Sequence, residues 1–143
     1  MVLKGLENHR ILCRYVDEVE KGIRENDALT TLLRLRMCLD YIVCTYCKKC
    51  FLCTGVNILK IEGRLLDRIN FLARNEMISE EEAQLLHQMR RAYNAGGVYT
   101  THFADIDEDS DIMDRLRESY RELLMYLPRF LNVFPHPCGI SYD

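Results

Sequence analysis

The chain has 143 residues, about the size of one domain, and such a length buries roughly two-thirds of its unfolded surface, so a second core is not expected. Hydrophobic residues make up 48% and charged residues 29%, the balance of a soluble globule. The start MVLKGLENHR lacks a signal-peptide core and no run approaches a membrane span, so a cytoplasmic protein without membrane association is expected. A net charge of −3 excludes global attraction to nucleic acid or anionic lipid, so any phosphate binding would have to be local.

The predicted elements are helices, with almost no strand signal. Leu6, Ile11, Leu12, Tyr15, Val16, Val19 and Ile23 recur at helical spacing and predict a first helix over 3–24. Asn26 and Asp27 make a turn, and Asp27 can cap a second helix over 28–53 that ends at Thr54-Gly55, where glycine supplies the left-handed residue. Ile61, Leu65, Leu66, Ile69 and Leu72 mark a third helix over 61–75. Ser79 followed by Glu82 is a capping box, so a fourth helix over 80–94 should carry Ala83, Leu86, Met89 and Tyr93 inward before Ala95-Gly96-Gly97 stops it. A fifth helix over 110–127 presents Ile112, Met113, Leu116, Tyr120, Leu123, Leu124 and Leu127 and is curtailed by Pro128, leaving 128–143 as an irregular tail. With no repeats or low-complexity tracts, the reading is all-α: one antiparallel bundle of about five helices, a single domain over 1–143.

Within the second helix, Leu29, Leu32, Leu39, Val43, Cys47 and Cys50 share one face at about 100° per residue, and Arg36 and Asp40 fall inside that arc. A charged pair there is expected to be at least partly buried, serving either a site or the register of two helices. Cys44, Cys47, Cys50 and Cys53 form C-x2-C-x2-C-x2-C, a spacing that partly resembles the ligand run of a bacterial ferredoxin. On a continuous helix each three-residue step turns about 60°, so the four sulfurs fan out. The favoured reading is buried thiols, with Cys47 and Cys50 on the core face, Cys44 and Cys53 on its flanks, and no metal or cofactor; an iron–sulfur or zinc site is the alternative.

The acids Asp107, Asp109, Asp111 and Glu118 fit calcium-loop positions 1, 3, 5 and 12, but Ile112 stands where such a loop needs glycine. Asp105 to Asp111 are instead read as a loop favouring the start of the fifth helix through its dipole. Arg64, Arg68, Arg74, Arg90 and Arg91 concentrate positive charge in the middle of the chain.

Three segments in order carry a resemblance. Leu35 to Asp40 (LRMCLD) resembles the L-R-x-x-L-[ED] signature of the HEPN superfamily of small helical nucleotide-binding domains. Asn75 to Glu81 (NEMISEE) resembles the turn of its branch found alone or appended to restriction-endonuclease subunits, and Met89 to Val98 (MRRAYNAGGV) that branch's [IL]-R-x-x-G-N-x-A-A-H motif. The resemblance spans about Leu29 to Leu127. It implies a helical bundle that works without metal, often as a homodimer, in prokaryotic defence or nucleic-acid metabolism. Arg36, Asp40, Arg90 and Asn94 would form its ligand or phosphate cluster.

HEPN ribonucleases pair an arginine with a histidine, and Val98 occupies the place of that histidine. His87, on one strip with Arg90 and Asn94, and His102 in the next loop are the substitute candidates for proton transfer. The expected function is therefore a non-catalytic binding module recognising a nucleotide, an RNA or a partner protein. A metal-independent ribonuclease and a small regulatory or inhibitor protein acting through a helix face are the alternatives.

Overall fold

The computed structural model describes residues 3–94 and 111–138. A single 3-10 turn at Leu6–Asn8 leads into α1 (Arg10–Arg24), α2 (Ala28–Thr54), α3 (Ile58–Ile61), α4 (Leu65–Arg74), α5 (Glu80–Tyr93) and α6 (Ile112–Val133), and the described residues contain no strand. The fold is an all-α bundle. None of the described helices is long and apolar enough to cross a membrane.

Helix α2 is the axis of the bundle, and each of the other five α-helices packs against it. At 1.5 Å per residue its 27 residues span about 40 Å. Ala28, Leu32, Leu35, Leu39, Ile42 and Tyr46 lie along its inward line, widened by Thr31, Cys38 and Thr45 on one flank and by Val43, Cys47 and Cys50 on the other. Its ends follow local chemistry. The Asp27 carboxylate accepts from the Thr30 amide (3.1 Å) and hydroxyl (2.7 Å), and Gly55 closes the helix at φ +78°. The same two hydrogen bonds hold the Asp27 carboxyl below its ordinary pKa.

The boundaries differ from the periodicity in three places. The first helix begins at Arg10 rather than residue 3, because a left-handed Gly5 (φ +95°) and the 3-10 turn precede it. The expected third helix is two helices: α3 starts earlier, at Ile58, and Glu62 then adopts an extended backbone before Gly63 and Arg64 lead into α4. Helix α6 passes through Pro128 and continues to Val133. A proline inside a helix costs about 3 kcal/mol. Burial of Phe130 and Leu131 beyond it contributes about 1.5–3 kcal/mol each and keeps the last turn formed. The irregular tail therefore starts at Phe134 rather than at residue 128.

At the α1–α2 corner the backbones meet closely. A methyl group at the buried Gly22 would stand 2.5 Å from Thr31 Oγ1 and 3.1 Å from its amide nitrogen, so only glycine fits. The Thr31 hydroxyl cannot retreat freely, because it donates to the Asp27 carbonyl at 2.7 Å. Asn26 makes the turn in the left-handed region (φ 55°), a conformation asparagine tolerates.

His9 joins the two ends of the described chain. Its side chain is fully buried; Nε2 donates to the Phe134 carbonyl (2.7 Å) and Nδ1 is 2.8 Å from the Tyr41 hydroxyl. The imidazole packs at 5.3 Å from the Phe130 ring and edge-on to Tyr41, within an aromatic group that includes Tyr46 and Phe134. Replacing His9 with Ala leaves a void and two polar groups short of a partner, and should lower unfolding stability by about 2–4 kcal/mol. Equilibrium urea denaturation measures this loss; a change under 0.5 kcal/mol would show that the ends are not held by this residue.

Candidate basic cleft

Arg36 and Asp40 are exposed, not buried on the apolar side of α2. The expected arc includes Leu29, which is 40% exposed; the inward line runs instead through Leu35, Leu39 and Ile42. That recentring moves both charges to the margin of the helix, where neither pays the cost of full burial. The two also serve different neighbours. Asp40 faces Arg68 of α4 (3.8 Å), whose Nε donates to the Glu62 carbonyl (2.7 Å) and whose Nη1 lies 4.0 Å from Cys44 Sγ.

Arg36 instead lines a cleft of about 400 Å³ shared by α2, the start of α4 and the end of α5. Arg64, Arg90 and Asn94 supply the other polar groups, and Leu39, Leu65, Leu66 and Tyr93 the apolar lining. Three of the four expected cluster residues thus meet in one place. Asp40 is not among the lining residues, and Arg64, which the motifs did not single out, replaces it. Arg64 also pairs with Asp67 at 2.9 Å on an exposed surface, while Arg36 has no ion-pair or hydrogen-bond partner among the described residues. Tyr93 closes the floor, buried, with its hydroxyl 3.4 Å from the Ser119 carbonyl.

Arg90 is held from one side. Its Nε donates to His87 Nδ1 (3.2 Å), and His87 Nε2 is 2.8 Å from Asn70 Oδ1 on α4. His87 is therefore half-buried between α4 and α5 rather than on the open solvent side. Burial, then the nearby Arg90 and Arg91 charges, lower its pKa, and burial followed by Arg91 also lowers that of Arg90. His102, Val98 and the acids from Asp105 to Asp109 lie outside the described residues. Asp111 is the N-cap of α6 but makes no side-chain cap hydrogen bond.

The cysteine run lies wholly within α2, with Cys47 and Cys50 buried, Cys44 half-buried and Cys53 exposed. Among the described residues no group of three or more His, Cys, Asp or Glu side chains is placed to share a metal ion. Burial pushes the Cys47 thiol up to about 12 and raises that of Cys44, so both are protonated near neutral pH.

A second polar cluster, between α2, α5 and α6, was hidden from the motifs. Glu82 is nearly buried, with a side chain 12% exposed, and its Oε1 accepts from the Tyr126 hydroxyl (2.5 Å) and the Tyr46 hydroxyl (3.2 Å). Burial, reinforced by the carboxylate, pushes both phenols far up. The sequence ties Glu82 to the cap of α5, where its amide donates to Ser79 Oγ (3.0 Å). Two inward tyrosines at positions 46 and 126 were the signal that a buried acceptor was needed.

No protein-family model matches the chain, and neither the curated proteins nor the solved structures contain a significant match to it.

His87 should titrate below the ordinary value of about 6.5. The folded state then binds fewer protons than the unfolded state, so the stability His87 contributes is complete above that value and declines as pH falls through it towards the folded pKa. Partial exposure keeps the effect small. Imidazole proton shifts followed by NMR should show this low midpoint in the parent and an upward move in Arg90→Ala; an unchanged midpoint would exclude the Arg90 contact.

Proposed function

We propose that the chain is a non-catalytic binding module of the HEPN type, and that the cleft between α2, α4 and α5 receives a phosphate of a nucleotide or an RNA. The observation that carries this reading is the convergence of three guanidinium groups, Arg36, Arg64 and Arg90, from three separate parts of the chain onto one cleft whose lining, among the described residues, includes no carboxylate. Guanidinium forks suit phosphate oxygens, and Asn94 adds an amide to the same lining. Leu39, Leu65 and Leu66 offer the apolar surface on which a base or ribose could rest. A setting in prokaryotic defence or nucleic-acid metabolism is supported by the sequence resemblance alone.

A ribonuclease reading draws support from the closeness of Arg90 to His87. The same contact argues against it. A general base must offer a free lone pair to the ribose hydroxyl, and the Nδ1 lone pair of a neutral His87 is occupied by Arg90 Nε–H, while Nε2 is turned to Asn70.

Fluorescence anisotropy with a labelled RNA oligonucleotide and with a labelled nucleotide tests the proposal. Binding should weaken as salt rises, and Arg36→Ala or Arg90→Ala should each cost about 1.5–3 kcal/mol of affinity. No 2′,3′-cyclic phosphate ends should accumulate. Affinity unchanged in the Arg36→Ala, Arg90→Ala double variant would overturn the site. RNA cleavage abolished by both Arg90→Ala and His87→Ala would replace the binding module with the ribonuclease.

A further inference from the structure

We propose that Asn70 is a positioning residue for the Arg90 guanidinium, acting through His87. The contacts leave little freedom in the assignment of protons. Arg90 Nε–H can only donate, so the His87 Nδ1 it approaches at 3.2 Å must present a bare lone pair. The neutral ring then carries its proton on Nε2, and the acceptor for that proton is Asn70 Oδ1 at 2.8 Å. Had the proton sat on Nδ1, two N–H groups would confront each other at the Arg90 end. Arg90 and Asn70 thus select the same tautomer from opposite edges of the ring, and the exposed amide on α4 holds the imidazole with Nδ1 turned to Arg90.

The consequence for Arg90 is geometric. Held through Nε, the guanidinium plane is fixed, and its Nη groups remain available to the cleft that Arg90 lines. Without the acceptor at Nδ1 the side chain regains rotamer freedom, which binding must then remove. Asn70 is exposed and lies outside the core, so its role is not explained by packing. The charged groups that act on His87 are Arg90 and Arg91 of its own helix, and the neutral Asn70 is its hydrogen-bond partner from α4.

The effect on binding rests on the cleft being an anion site, whereas the relay itself is testable with no ligand. Long-range 1H–15N correlation spectra of the full chain, with His87 assigned by comparison with His87→Gln, report the tautomer directly. The parent should show the Nε2–H form with Nδ1 accepting a hydrogen bond. Asn70→Ala should free the ring to turn, so that the Nδ1 shift moves towards that of an imidazole without a hydrogen bond while the thermal midpoint stays unchanged, and Asn70→Asp, which keeps an acceptor, should retain the parent shifts wherever the ring is neutral. Asn70→Ala should also weaken binding of inorganic phosphate, followed by NMR titration, by about threefold to tenfold, the worth of one hydrogen bond.

A parent tautomer with the proton on Nδ1, or an Asn70→Ala spectrum identical to the parent, overturns the relay even where phosphate binds. Tautomers that behave as stated in a chain that binds neither phosphate, nucleotide nor RNA uphold the relay and overturn the binding reading.

Discussion

Burying a 27-residue helix along most of its length requires neighbours on several sides at once, and this requirement on α2 organises the rest of the molecule. A helix with one narrow apolar stripe can lie on a surface; α2 carries inward residues over more than half its circumference, from Thr45 and Cys38 round to Val43 and Cys47. Helix α1 takes one flank, reached through the tight Gly22–Thr31 corner, and α3 and α4 take the other. Helices α5 and α6 close the remaining side, where Tyr46 meets Glu82 and Phe130. The connections between neighbours are short wherever they are described, so the order of helices in the chain becomes their order in the bundle.

The cleft marks a place where this covering stops. Arg36 sits at the edge of the inward arc, close to the gap between the start of α4 and the end of α5, and a charged side chain is tolerated because it stays exposed among the described residues. The break at Glu62 and Gly63 contributes to the gap, since a continuous helix from Ile58 would have run past this point rather than restarting at Leu65. On the opposite margin of α5 the polar chemistry has the other sign: Glu82 is enclosed by two phenols, with Arg129 3.7 Å away. One helix therefore presents an enclosed carboxylate at its first turn and a basic cleft at its last, and the helix dipole favours both, Glu82 at its positive end and Arg90 at its negative end. Among the described lining residues no carboxylate compensates the arginines.

Much of the fold was legible because helices advertise themselves through spacing and caps. Asp27, Gly55 and Ser79 each do in the structure what their position in the sequence suggests. Legibility failed where tertiary packing outweighed a local rule. Pro128 is a stop signal in isolation, yet the aromatic cluster around Phe130 and Phe134 holds the chain helical past it. The face of α2 was misplaced because Leu29 is apolar but exposed, so composition alone tilted the arc towards Arg36 and Asp40. Of the expected polar cluster, Arg36, Arg90 and Asn94 share a cleft, and Asp40 does not line it. Asn70, Glu82 and His9 find their side-chain partners, and Arg64 its place in the cleft, through the meeting of segments distant in sequence, and spacing within one helix carries no trace of those.

The bond from His9 to the Phe134 carbonyl joins residues 125 positions apart, and it bears on the order in which the molecule assembles. The α1–α2 hairpin closes over a short turn and can form as soon as both helices have left the ribosome. Its N-terminal end, however, has no buried partner for the His9 Nε2 until the final helix has been made and docked. A growing chain thus carries a preformed hairpin with an open clasp, and α6, synthesised last among the described helices, both completes the core and locks its beginning.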